Sequence, residues 1–365
     1  MSPIGRFVPR PRLVDWSLAA AVALVVGTGL YGLTVGDPAG AWVVDLHAVG
    51  GLALLVLVAL KLRRVAGRVR PDRLTGPRLI SVLLAALALG ALGTGIWWAL
   101  GGSLAVGPWG PWGLLMVHMI LGSLVPLVLV WHLRHRFHSP GDVDLDRRSA
   151  LSYAAVVGAT GLAWRGQEAV DDLFATPGAE RRFTGSREHG SDDGNDFPVT
   201  SWVADDPDPI DGDAWVLRVR GRVADPGTFG VEDLGMNDDS DDDSATGTER
   251  AVLDCTSGWY SEHDWRGLRV GDLLDRAGPD DAAQWVQFRS VTGYRWSLPI
   301  EEARDALLAT HVDGERLSHA HGYPLRLVAP DRRGFQWVKW VTGVRVTRRR
   351  EVGEWVAIFV SGFEE

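Results

Sequence analysis

Apolar residues gather into four long runs with few charges, Trp16–Val35, Ala41–Leu62, Leu79–Leu100 and Trp112–Leu133, followed by a weaker fifth at Ser149–Trp164. About 20 such residues, rising ~1.5 Å each in a helix, cross the ~30 Å hydrocarbon layer of a bilayer. The pattern predicts an all-α transmembrane bundle of four to five spans. Beyond about Gly166 the runs shorten and alternate with polar positions. Trp215–Val219, Ala251–Leu253, Trp285–Ser290, Leu325–Val328 and Gly343–Thr347 read as strands, and Gly271–Ala277 and Glu301–Ala309 as helices. This half predicts a mixed α+β domain of roughly 170 residues, enough for one core.

Charge orients the spans. Arg6, Arg10 and Arg12 precede the first run, and Lys61, Arg63, Arg64, Arg68, Arg70, Arg73 and Arg78 crowd the second connection, whereas the other two connections carry no Lys or Arg. The positive-inside rule then predicts a cell-membrane, multi-pass protein with a cytoplasmic N-terminus and, after five spans, an extracytoplasmic C-terminal domain. Expected boundaries are 1–140 for the membrane domain, 166–194 for a polar linker, 195–350 for the folded domain and 351–365 for a tail. Within 141–165, Arg147-Arg148 ahead of Ser149-Ala150-Leu151 reads either as the anchored end of a fifth span or as a twin-arginine export signal. Asn237–Glu249 is poor in apolar residues and predicts a solvated loop.

The net charge of −9 argues against nucleic acid as a partner. Lysine occurs only at Lys61 and Lys339, and Asp-rich, Lys-poor surfaces suit high salt, which points to a halophilic, haloarchaeal source. No Gly-rich phosphate loop and no CxxC pair is present, so a nucleotide-binding fold is not expected. The single cysteine, Cys255, cannot form an intrachain disulfide. Inert packing, nucleophile and metal ligand stay open for it.

An ordered set of motifs narrows that choice. It runs through Phe197-Pro198-Val199-Thr200, Trp215–Gly221, Leu253-Asp254-Cys255, Trp265–Leu274, Thr292-Gly293-Tyr294, His321–Pro330 and Gly334–Val341. In this the domain resembles the sulfite oxidase family of molybdopterin-dependent oxidoreductases. The resemblance implies that Cys255 is the molybdenum thiolate. It also implies that His321, Arg326, Trp337, Val338, Lys339 and Thr292 hold the molybdopterin and its phosphate, with Asn195, Pro198 and Val199 as a further contact segment. Soft thiolate, forked guanidinium and point-charge ammonium suit those tasks.

Animal and plant members carry an arginine four residues after the cysteine, where Trp259 stands here. In this respect the chain is more similar to the periplasmic protein-methionine-sulfoxide reductase catalytic subunits, and an aromatic wall suits a neutral sulfoxide better than a dianion. The expected reaction is oxo transfer to or from a sulfur group, most simply reduction of a small-molecule or protein sulfoxide, with Tyr260 and Tyr294 as catalytic polar contacts. A sulfite or other substrate dehydrogenase passing electrons to the membrane is the alternative, and a non-enzymatic membrane-anchored binding module a third. His47 and His118 lie toward the outer ends of the second and fourth runs, where two imidazoles could clamp the iron of one b-type haem. His132 lies roughly 21 Å deeper on the same helix, without a counterpart on the second run, and is assigned with His135 and His138 to the basic cytoplasmic cap. The membrane half thus resembles a cytochrome b subunit, and the expected partners are the membrane and its quinone pool or another redox carrier.

Overall fold

The computed structural model describes residues 11–68, 76–103, 105–106, 112–136, 147–176, 178–201, 205–230, 233–234 and 247–360. The chain divides into two compact units, Met1–Gly185 and Ser186–Glu365.

The first unit contains α1 (Pro11–Gly32), α2 (Ala41–Val65), α3 (Gly76–Ala99), the short strand pair β1 (Ala105–Val106) and β2 (Trp112–Gly113), α4 (Leu114–Arg136) and α5 (Arg147–Phe174). Helices α1 to α4 are each long and apolar enough to cross a membrane. Val22, Leu54, Val58, Ala88 and Val125 pack in their midst, while Leu30, Leu83, Leu127 and Trp131 stay exposed on the outer faces. Such an arrangement suits lipid, where backbone groups must be satisfied within each helix. The weak fifth run is the first part of α5, which continues to Phe174 and is more polar than α1 to α4. It lies beside α2: Trp164 Nε1 donates to Asp45 Oδ1 (3.0 Å), and Arg165 pairs with Asp45 Oδ2 (2.9 Å).

The second unit contains β3 (Arg187–Glu188), β4 (Leu217–Gly221), β5 (Gly227–Phe229), β6 (Gly247–Asp254), β7 (Trp259–Arg269), α6 (Val270–Ala277), β8 (Trp285–Ser290), β9 (Arg295–Pro299), α7 (Ile300–Asp305), β10 (Leu307–Val312), β11 (Glu315–Arg316), β12 (Arg326–Val328), β13 (Val341–Thr347) and α8 (Glu354–Val360). One sheet runs β11-β10-β7-β3, with β6 also on β7 and β12 also on β10; the other runs β5-β4-β13-β8-β9. In the second, β4 and β13 are parallel and the remaining pairs antiparallel. Helix α6 buries Val270, Leu273, Leu274 and Ala277, a stripe at i, i+3, i+4 and i+7. It stops at Gly278, whose φ of 63° provides the left-handed cap.

Several expectations shift. The helix expected over Glu301–Ala309 ends at Asp305, and Leu307-Leu308-Ala309 open β10 instead, an apolar run without helical period that pairs with β7. The polar stretch expected as a linker already contains β3, and the expected tail contains α8, whose Trp355 packs edge-on against Trp296 (5.0 Å). Residues 235–246 of the expected loop lie outside the described residues, and Gly247–Glu249 are strand.

Candidate cofactor site around Cys255

Strands β6 and β7 form a hairpin in which Asp254 pairs with Tyr260, and the turn between them presents Cys255. Cys255 N–H donates to Trp259 O (2.8 Å) and Gly258 N–H to Cys255 O (3.1 Å), with Gly258 at φ 100° supplying the turn that a side chain would strain. The Cys255 thiol lies 3.0 Å from Ser257 Oγ. Behind it, buried Arg333 donates to Cys255 O (3.1 Å) and lies 3.4 Å from buried Asp254, which also accepts from Ser186 Oγ (2.7 Å). In front, Trp259 Nε1 donates to Thr200 Oγ1 (3.2 Å), so the rim beside Cys255 is aromatic and hydroxylic.

A cationic group gathers on the same core. His321, at the end of a short 3-10 turn, lies face-near Phe197 with ring centroids 3.9 Å apart. Its Nε2 is 3.0 Å from Phe197 O, which can only accept, so Nε2 carries the proton and Nδ1 accepts from Ser318 Oγ (2.7 Å). Burial, then the neighbouring Arg326, lowers its pKa to about 4, and the ring is neutral. Arg326 is buried and donates Nη1 to His321 O (2.8 Å), its guanidinium ringed by Trp265 (5.5 Å), Trp337 (5.9 Å) and Phe197 (6.0 Å). Burial pulls its pKa down to about 10, partly opposed by Cys255. Half-buried Lys339 reaches Ser201 Oγ (2.6 Å) and Ala320 O (3.1 Å). Its pKa falls to about 8 through burial and then Arg326, opposed by Asp205, Asp206 and, least, Cys255. Sulfur, guanidinium and ammonium therefore lie within electrostatic reach of one another.

The other candidates are placed differently. Trp337 and Val338 are buried; Trp337 donates to Arg332 O (3.2 Å), and Val338 O accepts from Leu327 N–H (2.8 Å). Thr292 donates to buried Asp205, whose carboxyl burial pushes up. Tyr294 donates its hydroxyl to Phe335 O, and burial raises its pKa. Tyr260 is half-buried on β7, on the strand face opposite Trp259. Pro198 is half-buried and Val199 exposed. Asn195, expected at the cofactor, has its side chain engaged in the protein: Nδ2 donates to Arg316 O (2.9 Å) and Oδ1 accepts from Ser318 N–H (2.8 Å), so it steadies the turn that carries His321.

The donor set fits an anionic, sulfur-bound metal cofactor. Among the described residues no carboxylate pairs with Arg326, and its Nε, Ser261 Oγ and His263 Nε2 are buried without a partner. Such orphans are costly unless a ligand meets them. His263 was not expected; its Nδ1 is bound by Asp313 (2.6 Å) and its ring lies 4.6 Å from Phe197. Counting in twos from Cys255 along β7 would have found Trp259, Ser261, His263 and Trp265 on one face. Asp205 and Arg333 leave no such signal, because their roles come from contacts far along the chain.

In the first unit, His47 on α2 and His118 on α4 lie with ring centroids 6.0 Å apart and planes at 87°. Each Nδ1 bonds a backbone carbonyl, Val25 O at 2.9 Å and Ala91 O at 2.8 Å. Two imidazoles bound about 2 Å to either side of one metal ion need a separation of about this size. His132 Nδ1 instead lies 3.4 Å from Ser81 Oγ. The side chain of His135, and His138 altogether, lie outside the described residues.

Residues 204–355 match the family described as oxidoreductase molybdopterin binding domain. The uncharacterized oxidoreductase YuiH of Bacillus subtilis is 30% identical over 164 residues, covering 44% of this chain and 78% of that protein. The protein-methionine-sulfoxide reductase catalytic subunit MsrP of Gluconobacter oxydans is 28% identical over 245 residues, covering 60% of this chain and 74% of its own. The MsrP of Xanthomonas axonopodis pv. citri is 29% identical over 159 residues, 39% of this chain, which spans 47% of that relative's length. Among solved structures, sulfane dehydrogenase SoxCD from Paracoccus pantotrophus matches at 26% identity and TM-score 0.36, covering 40% of this chain and 41% of that one.

Proposed function

The chain belongs to the molybdopterin-binding oxidoreductases of the sulfite oxidase type, and we propose that it reduces a sulfoxide at the outer face of a membrane with electrons drawn from the quinone pool. The carrying observation is the buried Arg326, which among the described residues has no carboxylate partner, whose Nε is unmet, and whose Cβ lies with that of Lys339 against Gly322. In this reading the Cys255 thiolate ligates molybdenum, Arg326 and Lys339 hold the pterin phosphate, and neutral His321 orients Phe197 and the guanidinium. When bound, the molybdenum–molybdopterin cofactor supplies two-electron oxygen-atom transfer, so that a sulfoxide, two electrons and two protons give a thioether and water. Trp259 and Thr200 form an uncharged rim, which favours a neutral sulfoxide over a sulfite dianion. Ser257, beside the sulfur, lends a hydrogen bond that lowers charge on the thiolate.

Electrons reach the site, in this proposal, through one b-type haem held between His47 and His118. Their crossed rings and carbonyl-bound Nδ1 atoms support it. The basic second connection supports a cytoplasmic N-terminus, and in this reading α5 is the fifth crossing that carries the second unit to the outer side.

The full chain purified in detergent is assayed for molybdenum and for methionine sulfoxide reduction by a reduced dye. About one molybdenum per chain, lost in Cys255→Ser, is expected together with sulfoxide turnover. Metal-free protein would sink the cofactor reading. Sulfite-driven haem reduction without sulfoxide turnover would reverse the direction of electron flow.

A further inference from the structure

The first unit carries an internal repeat. Gly27-Thr28-Gly29 near the end of α1 and Gly93-Thr94-Gly95 near the end of α3 are the same tripeptide, and each lies against the histidine of the helix that follows. The contacts repeat atom for atom. Thr28 Oγ1 donates to Leu24 O (2.8 Å) and turns a lone pair toward His47 Nδ1 (3.2 Å). Thr94 Oγ1 donates to Gly90 O (2.8 Å) and lies 3.5 Å from His118 Nδ1. In both hairpins the carbonyl bound to Nδ1 belongs to the residue three before the threonine, Val25 or Ala91. A carbonyl only accepts, so Nδ1 carries the proton and Nε2 is left as the metal-binding nitrogen.

The glycines divide in the same way. A Cβ on Gly29 would lie 3.1 Å from His47 Cε1, and one on Gly95 would lie 2.9 Å from His118 Cε1. A Cβ on Gly27 or Gly93 would meet nothing within 4 Å. Only the second glycine of each tripeptide makes room for a ring.

We propose that α1–α2 and α3–α4 are two copies of one histidine-presenting hairpin, in which Thr28-Gly29 and Thr94-Gly95 are positioning residues that hold His47 and His118 as crossed Nε2 ligands of a single haem. This rests on the haem reading above. The lone pair and the carbonyl fix the tautomer and limit ring rotation, and the missing methyl lets the ring edge pass over the preceding helix. The two rings, set by separate hairpins, stand at 87°.

The test uses the full chain in detergent, with haem per chain measured from the pyridine haemochrome and ring orientation from the ferric low-spin electron paramagnetic resonance signal. Gly95→Ala is expected to weaken haem retention about 10- to 100-fold, the usual cost of disturbing a ligand's support, and Gly29→Ala to act in the same direction but less. Gly27→Ala and Gly93→Ala, which carry the same helix-propensity change without the contact, should match wild type. Thr28→Val and Thr94→Val keep the shape, so haem should stay while the strongly anisotropic signal of crossed planes shifts. Wild-type protein without haem overturns the haem reading itself. Wild-type haem with Gly29→Ala and Gly95→Ala equal to their controls overturns the positioning role alone. If those two variants fail to accumulate, an unchanged signal in the threonine variants overturns it.

Discussion

Arg333→Met removes one cation from beside the buried Asp254 carboxylate. Asp254 and Arg333 are 1% and 4% exposed, and Nη1 stands 3.4 Å from Oδ1. Removing one member of a buried pair costs about 3–5 kcal/mol, because the remaining charge is left in a poorly polarisable interior. The Ser186 bond to Asp254 survives, and Cys255 O still accepts from Gly258 N–H, so the lower end, about 3 kcal/mol, is expected. For a unit of this size each kcal/mol lowers Tm by about 2–4 °C, which gives a fall of about 6–12 °C. The buried Trp265, Trp337 and Trp340 report the transition by fluorescence in the full detergent-solubilised chain. Arg333→Met combined with Asp254→Asn removes the buried charge whose cation was taken away and should recover about 2 kcal/mol of the loss. A single variant within 1 kcal/mol of wild type, or a double variant no better than the single, would refute the argument.

His321 binds its proton near pH 4 when folded and near 6.5 when unfolded, so its contribution to stability is complete above pH 6.5 and is lost as pH falls toward 4. The loss is on the order of 3 kcal/mol, and acid unfolding of His321→Gln should show a flatter slope over that window. Lys339 loses its proton near pH 8 in the cofactor-free protein, so cofactor affinity should fall as pH rises past 8, and Lys339→Met should bind more weakly at pH 7 with that dependence gone. His263→Phe removes a buried, unpartnered Nε2. It also removes the Nδ1 bond to Asp313, so cofactor-free stability should fall by about 1–3 kcal/mol while molybdenum content drops several-fold; undiminished molybdenum would mean that the ring is packing only.

The four long apolar helices were legible because uninterrupted apolar runs of that length announce themselves in the sequence, and α2 begins at Ala41 as expected. Strand β8 is found over Trp285–Ser290 as read from alternation. Strand β7 escaped that reading: Ser261 and His263 face inward where the pattern wants apolar residues, which hid the longest strand beside the site. Cys255, His321, Arg326 and Lys339 were singled out through the family resemblance, and their surroundings are buried and polar. Asn195 and Tyr294 carry equally polar side chains, yet their partners, Ser318 and Phe335, lie 123 and 41 residues away. Which polar group meets a ligand and which braces a turn is decided by tertiary contacts of that span, not by local pattern.

Strand β3 lies parallel to the start of β7: Arg187 N–H donates to Gly258 O (3.1 Å) and His189 N–H to Tyr260 O (2.8 Å). The first residues of the second unit therefore cover the backbone edge next to the cysteine turn. An expression fragment cut at the motif boundary near Asn195 would bare that edge, invite pairing between copies and loosen the cysteine turn. A fragment beginning at or before Ser186 keeps the edge capped, and the useful cloning boundary lies ahead of the first recognisable motif.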